Sequence, residues 1–142
     1  MEKMTESKEK KQVLVNSRPV QRLVQLGMCS TSDVKNAIAE AEKLSSPLLQ
    51  KRIREADRLF GILGDSNRIK ILLLLLSSKR EMCVCEIESA LKLSQPIVSH
   101  HLGLLEQEDL LSRTKRGKWV FYKVNASPVL DLVQKMIFDR GL

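Results

Sequence analysis

Apolar residues return every third or fourth position over most of this chain, and every second position over one short stretch near its end. The first spacing predicts helices and the second predicts strands. Residues 1–12, largely Lys, Glu, Ser and Thr, carry no apolar stripe and are expected to lack order. Val20, Leu23, Val24 and Gly27 fit a short amphipathic helix after Pro19, and Cys29 follows in the link to the next element. A second helix is expected from Ser32, with Asp33 in its first turn and Val34, Ala37, Ile38, Ala41 and Leu44 on its apolar side. Ser46 caps a third whose first residue is Pro47; Leu49, Ile53, Ala56, Phe60 and Leu63 share a face, and Gly64 ends it. Asp65 or Ser66 caps a fourth, running to about residue 77. Its 71–76 run is apolar almost all round, which marks a central buried helix.

Residues 82–91 and 95–108 predict two more helices, separated by Lys92-Leu93. The period then changes: 110–114 and 119–124 alternate as two strands around Lys115-Arg116-Gly117-Lys118. Ser127-Pro128 opens a last helix with Val129, Leu132, Val133, Met136 and Ile137 apolar. This order gives a mainly α fold with a small β-hairpin, a winged helix-turn-helix. The expected division is 1–46, an N-terminal arm of short helices, and 47–142, the DNA-binding domain ending in a dimerisation helix. The elements at the two ends carry apolar stripes that so small a module cannot cover. A second copy would cover them, so a homodimer is expected.

Composition narrows the partners. Aromatics make up 4% of the chain, so Leu, Ile, Val and Ala must build the core, which suits helices. The net charge of +7 fits a polyanion, nucleic acid before anionic membrane. Its placement decides: Arg113, Lys115, Arg116 and Lys118 put four cations within six residues, free of acids, on a hairpin and not on an amphipathic helix. A wing of this kind supplies phosphate contacts. No apolar run is long enough to span a bilayer, so no membrane partner is expected. Three cysteines are too few for a disulfide scaffold, which suggests a reducing, cytoplasmic setting with free thiols.

In the helix over 95–108, Val98, Leu102 and Leu105 fall on one face and must point into the core. Ser94 is its N-cap, and Gln95, Ile97, Ser99 and His100 lie outward near its start, where a recognition helix meets base edges. Gln pairs with adenine, Ser with several edges or phosphate, and Ile with a thymine methyl. His101 flanks the apolar face and reads as a hydrogen-bonded packing residue. The two histidines point about 100° apart, so they cannot share one metal ion.

Cys83 and Cys85 stand one residue apart just ahead of this unit. On a regular helix they face nearly opposite ways; in extended backbone they point to one side and can grip one ion. Two readings stand: small buried hydrophobes, or a thiolate pair for a soft ion such as Cu(I), Zn, Cd, Pb or trivalent arsenic. A position at a helix start is expected to lower a thiol pKa. Cys29 either completes a three-sulfur site or is incidental. The pair has no βαβ context and no candidate base beside it, which argues against a thiol oxidoreductase and leaves no enzyme reading.

Four segments together resemble the ArsR/SmtB family of metal- and metalloid-responsive repressors: ADRLFGILGDSNRIKILLLL, EMCVCEI, LSQPIVSHHLGLLEQEDLL and KRGKWVFYKV, within 56–124. The resemblance implies a homodimer on a double-stranded DNA operator, loosened by effector binding, with no permanent cofactor. It passes the sensing role to Cys83 and Cys85, with Cys29 the candidate third ligand from the N-terminal arm. Two departures qualify the match. Glu88 stands where arsenite sensors carry a third cysteine, and the last helix offers Asp131 and Asp139 but no histidine for a zinc site. With at most three sulfurs, As(III) or Sb(III) fits better than a four-sulfur cadmium site. The alternative is a thiol-disulfide redox regulator of the same fold, with Cys29 bridging to Cys83 or Cys85.

Overall fold

The computed structural model describes residues 2–139. Its helices are α1 (Glu2–Val15), α2 (Arg18–Gln25), α3 (Thr31–Leu44), α4 (Pro47–Leu63), α5 (Ser66–Ser78), α6 (Val84–Leu91), α7 (Gln95–Gln107) and α8 (Pro128–Phe138). Its strands are β1 (Met82–Cys83), β2 (Leu111–Arg116) and β3 (Trp119–Val124). The chain forms two compact units, Met1–Glu55 and Ala56–Leu142, dividing within α4.

The first unit departs from expectation at its start. Residues 2–12, expected to lack order, belong to α1. Lys, Glu and Gln are good helix formers, and no Gly or Pro interrupts them. Lys11 meets Glu42 of α3 at 2.5 Å, Ser7 donates to the same carboxylate, and Val15 is buried. Polar composition alone hid a helix held by long-range partners. Helix α3 starts slightly earlier than Ser32: Ser30 is its N-cap, its hydroxyl accepting the Asp33 N–H at 3.1 Å while the Asp33 carboxylate accepts the Ser30 N–H at 2.8 Å. Gly27, at φ +67°, turns the chain between α2 and α3.

In the second unit Asp65 caps α5, accepting the N–H groups of Asn67 and Arg68 at 2.9 and 3.1 Å. Ile71, Leu72 and Leu75 of α5 form the centre of the core with Ile87 of α6 and Val98, Leu102 and Leu105 of α7. Leu110, Leu111, Tyr122 and Leu130 close it from the sheet and α8. Helix α6 ends at Lys92, whose left-handed φ of +54° lets the Leu93 N–H return to the Glu88 carbonyl at 3.2 Å.

The sheet is antiparallel in the order β1-β3-β2. Strand β2 runs to Arg116, which pairs with Trp119, so Lys115 and Arg116 lie in the strand and the turn is only Gly117-Lys118. Gly117 at φ +61° makes the tight reversal possible. Strand β1 was not expected. It replaces the start of the helix foreseen over 82–91, pairing Met82 with Tyr122 and Cys83 with Phe121.

Candidate nucleic-acid interface and thiol site

Helix α7 divides its faces as its spacing requires. Val98, Leu102 and Leu105 are fully buried, while Ser94, Gln95, Ile97 and His100 are exposed and Ser99 half-exposed near its start. Ser94 is the N-cap in extended backbone, but its hydroxyl makes no cap bond. The Gln95 amide donates to the Ser99 hydroxyl at 2.9 Å, so these two polar side chains share one patch.

His101 is buried at 8% exposure and ties α7 to α5. Its Nδ1 lies 3.2 Å from Arg68 Nη1. A guanidinium only donates, so Nδ1 accepts and the ring proton sits on Nε2, which faces Asp65 Oδ1 at 3.9 Å. Arg68 also donates to the Ile62 and Gly61 carbonyls, binding the end of α4 into the same cluster. Burial pushes the His101 pKa below its ordinary 6.5; the charges of Arg68 and His100 act the same way, and Asp65 opposes them. The folded protein therefore binds fewer protons here than the unfolded one. Stability from His101 is complete above pH 6.5 and is lost as pH falls below it toward the lowered folded value. Replacing His101 by Gln should remove part of the fall in melting temperature on acidification; an unchanged pH profile would contradict this account.

The wing cations are not equivalent. Arg113 pairs with Glu106 of α7 at 3.2 Å, and Arg116 pairs with Glu81. Lys115 and Lys118 have no carboxylate partner among the described residues, and Lys118 lies 5.3 Å from the Trp119 ring centroid. Sequence reasoning grouped the four by charge; the carboxylates that hold two of them come from distant segments and leave no local signal.

Cys83 is the N-cap of α6 and sits in extended backbone (φ −78°, ψ 162°), while Cys85 lies in the first turn of the helix. The break between strand and helix falls between them, so the two cysteines stand side by side at the start of α6. Cys83 is buried and Cys85 exposed, so the pair is open on one side. The expected lowering of thiol pKa does not hold for Cys85. The neighbouring Cys83 thiol, some loss of solvation and the charge of that sulfur push it above its ordinary 9.0, because two adjacent thiolates repel. Glu86 braces the site, accepting the Cys83 N–H at 2.8 Å while pairing with Arg80 at 2.8 Å. The Arg80 pair and backbone hydrogen bond hold its carboxyl below the usual range. The spacing from Cys83 to Glu86 is that of a capping box, a signal the sequence offered and sequence reasoning missed. Cys29 is half-buried in the α2–α3 link of the other unit. Among the described residues, no three His, Cys, Asp or Glu side chains converge on a metal-sized site. No helix is long and apolar enough to cross a membrane.

A helix-turn-helix with an outward polar patch at the start of its second helix, flanked by a cationic hairpin, defines a winged-helix DNA-binding protein. The model of the bacterial regulatory protein arsR family matches residues 65–113. The chain is 48% identical over 84 residues to the arsenical resistance operon repressor of Escherichia coli K12, covering 59% of this chain and 69% of that protein. It belongs to the ArsR family, whose members are transcriptional regulators and not enzymes. Among solved structures, reduced HlyU from Vibrio cholerae matches with a TM-score of 0.58 at 27% identity, covering 68% of this chain and all of that one. A homodimeric winged helix-turn-helix DNA-binding domain from Mycobacterium bovis shares the fold with a TM-score of 0.59 at 22% identity, covering 68% and 90% of the two chains.

Proposed function

We propose that the chain is a homodimeric repressor that leaves its operator when Cys83 and Cys85 bind a trivalent metalloid, arsenite foremost. The observation that carries this reading is a pair of free cysteines, one exposed, at the break between β1 and the helix that precedes the recognition helix. Ser94, Gln95, Ile97, Ser99 and His100 would read the groove. Lys115 and Lys118 would hold phosphates, with Arg113 and Arg116 beside them in their ion pairs. The name of the Escherichia coli relative, an arsenical resistance operon repressor, supports the effector class.

The sulfur count favours arsenite over a four-sulfur cadmium site, since the chain holds three cysteines. Each As–S bond forms as a thiol proton leaves with an arsenic-bound hydroxide as water. The third arsenic position would be filled by Cys29 or would keep its hydroxide.

The dimer reading rests on an apolar groove of about 360 Å³ lined by Phe60, Leu63, Ile69, Val129, Leu132 and Met136, with Phe60, Leu132 and Met136 each more than half exposed. A second copy presenting the same face would bury them. The Mycobacterium bovis domain of the same fold is homodimeric.

The test is a titration of reduced protein, bound to a labelled fragment from upstream of its own reading frame, with As(III), Sb(III), Cd(II), Zn(II) and peroxide. Arsenite should release the DNA at the lowest concentration. Release by peroxide alone would favour the redox reading, and release by none would refute the sensor.

A further inference from the structure

Strand β1 is two residues long, and one of them is Cys83. Its only partner in the sheet is β3, the second strand of the wing, where Cys83 lies opposite Phe121. Phe121 in turn lies opposite Thr114 of β2, and two rows nearer the tip Trp119 lies opposite Arg116. Side chains alternate along a strand, so Cys83, Phe121, Trp119 and Arg116 occupy one face of the sheet. Glu81, two residues before Cys83, reaches across that face to form the ion pair with Arg116. The Arg116 guanidinium lies 4.8 Å from the centroid of the Phe121 ring, directly on the ladder position of Cys83. The wing is thus fastened to the thiol site at two points: the short β1–β3 ladder and the Glu81–Arg116 pair.

We infer that Glu81 is a positioning residue that carries thiol ligation to the wing, through its ion pair with Arg116. This rests on the reading of Cys83 and Cys85 as the effector site. Cys85 is held in α6, whereas Cys83 is held by a ladder of two residue pairs and one N–H bond to Glu86. Drawing both sulfurs onto one atom pulls on Cys83, and through it on β1. The movement shifts β1 against β3 and carries Glu81 with it. Arg116 loses its anchor beside the Gly117-Lys118 turn, and the phosphate contacts of the wing lose their alignment. The pair is partly exposed, so its influence weakens at high salt.

The full chain carrying Glu81→Gln tests this. The chain contains a single tryptophan, Trp119, opposite Arg116, so its emission reports the wing directly. Arsenite uptake, followed by the ultraviolet absorbance of the sulfur–arsenic bonds, should stay within about twofold of wild type, since no sulfur is altered. Arsenite should change Trp119 emission in the wild type but hardly in Glu81→Gln. The factor by which arsenite weakens promoter binding should fall about fivefold or more. Glu81→Asp, which keeps the charge, should restore most of it. Wild-type release by Glu81→Gln, with normal uptake, would overturn the coupling and leave the effector site standing. Absence of the sulfur–arsenic absorbance in the wild type would remove both.

Discussion

A chain carrying Cys83→Ser and Cys85→Ser is expected to hold operator DNA and to ignore arsenite. Neither cysteine lies on α7 or at the wing tip, so the groups proposed to meet DNA are untouched. Effector coupling of the usual size, about 1–3 kcal/mol, weakens DNA binding by about 5- to 150-fold; in the variant that factor should be about one. The two positions differ in structural cost. Cys83 is buried, and a serine hydroxyl there costs on the order of 1–2 kcal/mol if it finds no partner. Cys85 is exposed, so Cys85→Ser alone should melt within about 0.5 kcal/mol of wild type while abolishing most of the response. The single variant separates sensing from folding. Fluorescence anisotropy of labelled promoter DNA, with and without arsenite, reads both quantities. Loss of DNA binding by Cys85→Ser would mean that sensing and DNA binding are not separable. Full release by arsenite would place the site elsewhere.

The parts legible beforehand are those whose signals are local. Val98, Leu102 and Leu105 at helical spacing fixed which way α7 faces, and the structure buries all three while leaving Gln95, Ile97 and His100 outward. Alternation over 119–124 gave β3 its bounds, Ser46 caps the helix assigned to it, and of the two candidates Asp65 and Ser66 it is Asp65 that caps α5. What could not be read depends on partners far along the chain. Two residues at 82 and 83 have no strand signal of their own; pairing with Tyr122 and Phe121 makes them one. Charge density at the wing could be counted, but Glu106 and Glu81, which hold Arg113 and Arg116, lie outside the hairpin. The helix-start rule for thiols failed at Cys85 because the second thiol beside it, Cys83, raises its pKa. Helix α1 was missed for the same kind of reason: its anchor at Glu42 belongs to α3. The wing arginines and α1 share a cause, since side-chain pairing between separate segments decides them and composition does not record it.

The two faces of α7 should answer mutation in opposite ways. Leu102 is fully buried within the cluster that joins α5, α6 and α7. Truncation to alanine removes its packing and leaves a cavity that the rigid neighbours Ile71, Leu72 and Leu105 can close only in part. The expected cost is about 3 kcal/mol, a large share of a total stability of about 5–15 kcal/mol. For a unit of this size that lowers the melting temperature by roughly 10 °C or more, measured by circular dichroism at fixed protein concentration, because self-association would make melting concentration-dependent. Gln95→Ala should do the reverse. Gln95 is exposed and bonds only to the Ser99 hydroxyl, and alanine is the better helix former, so stability should move by no more than about 0.5 kcal/mol. Its amide is the one side chain at the start of α7 able to make a bidentate base contact, so promoter affinity should fall by about 1–3 kcal/mol, or about 5- to 150-fold. The loss should be confined to the cognate fragment, with binding to unrelated duplex unchanged, because phosphate contacts carry non-specific affinity. If Gln95→Ala weakened both duplexes equally, the start of α7 would be a phosphate clamp, and base reading would have to come from another part of the unit.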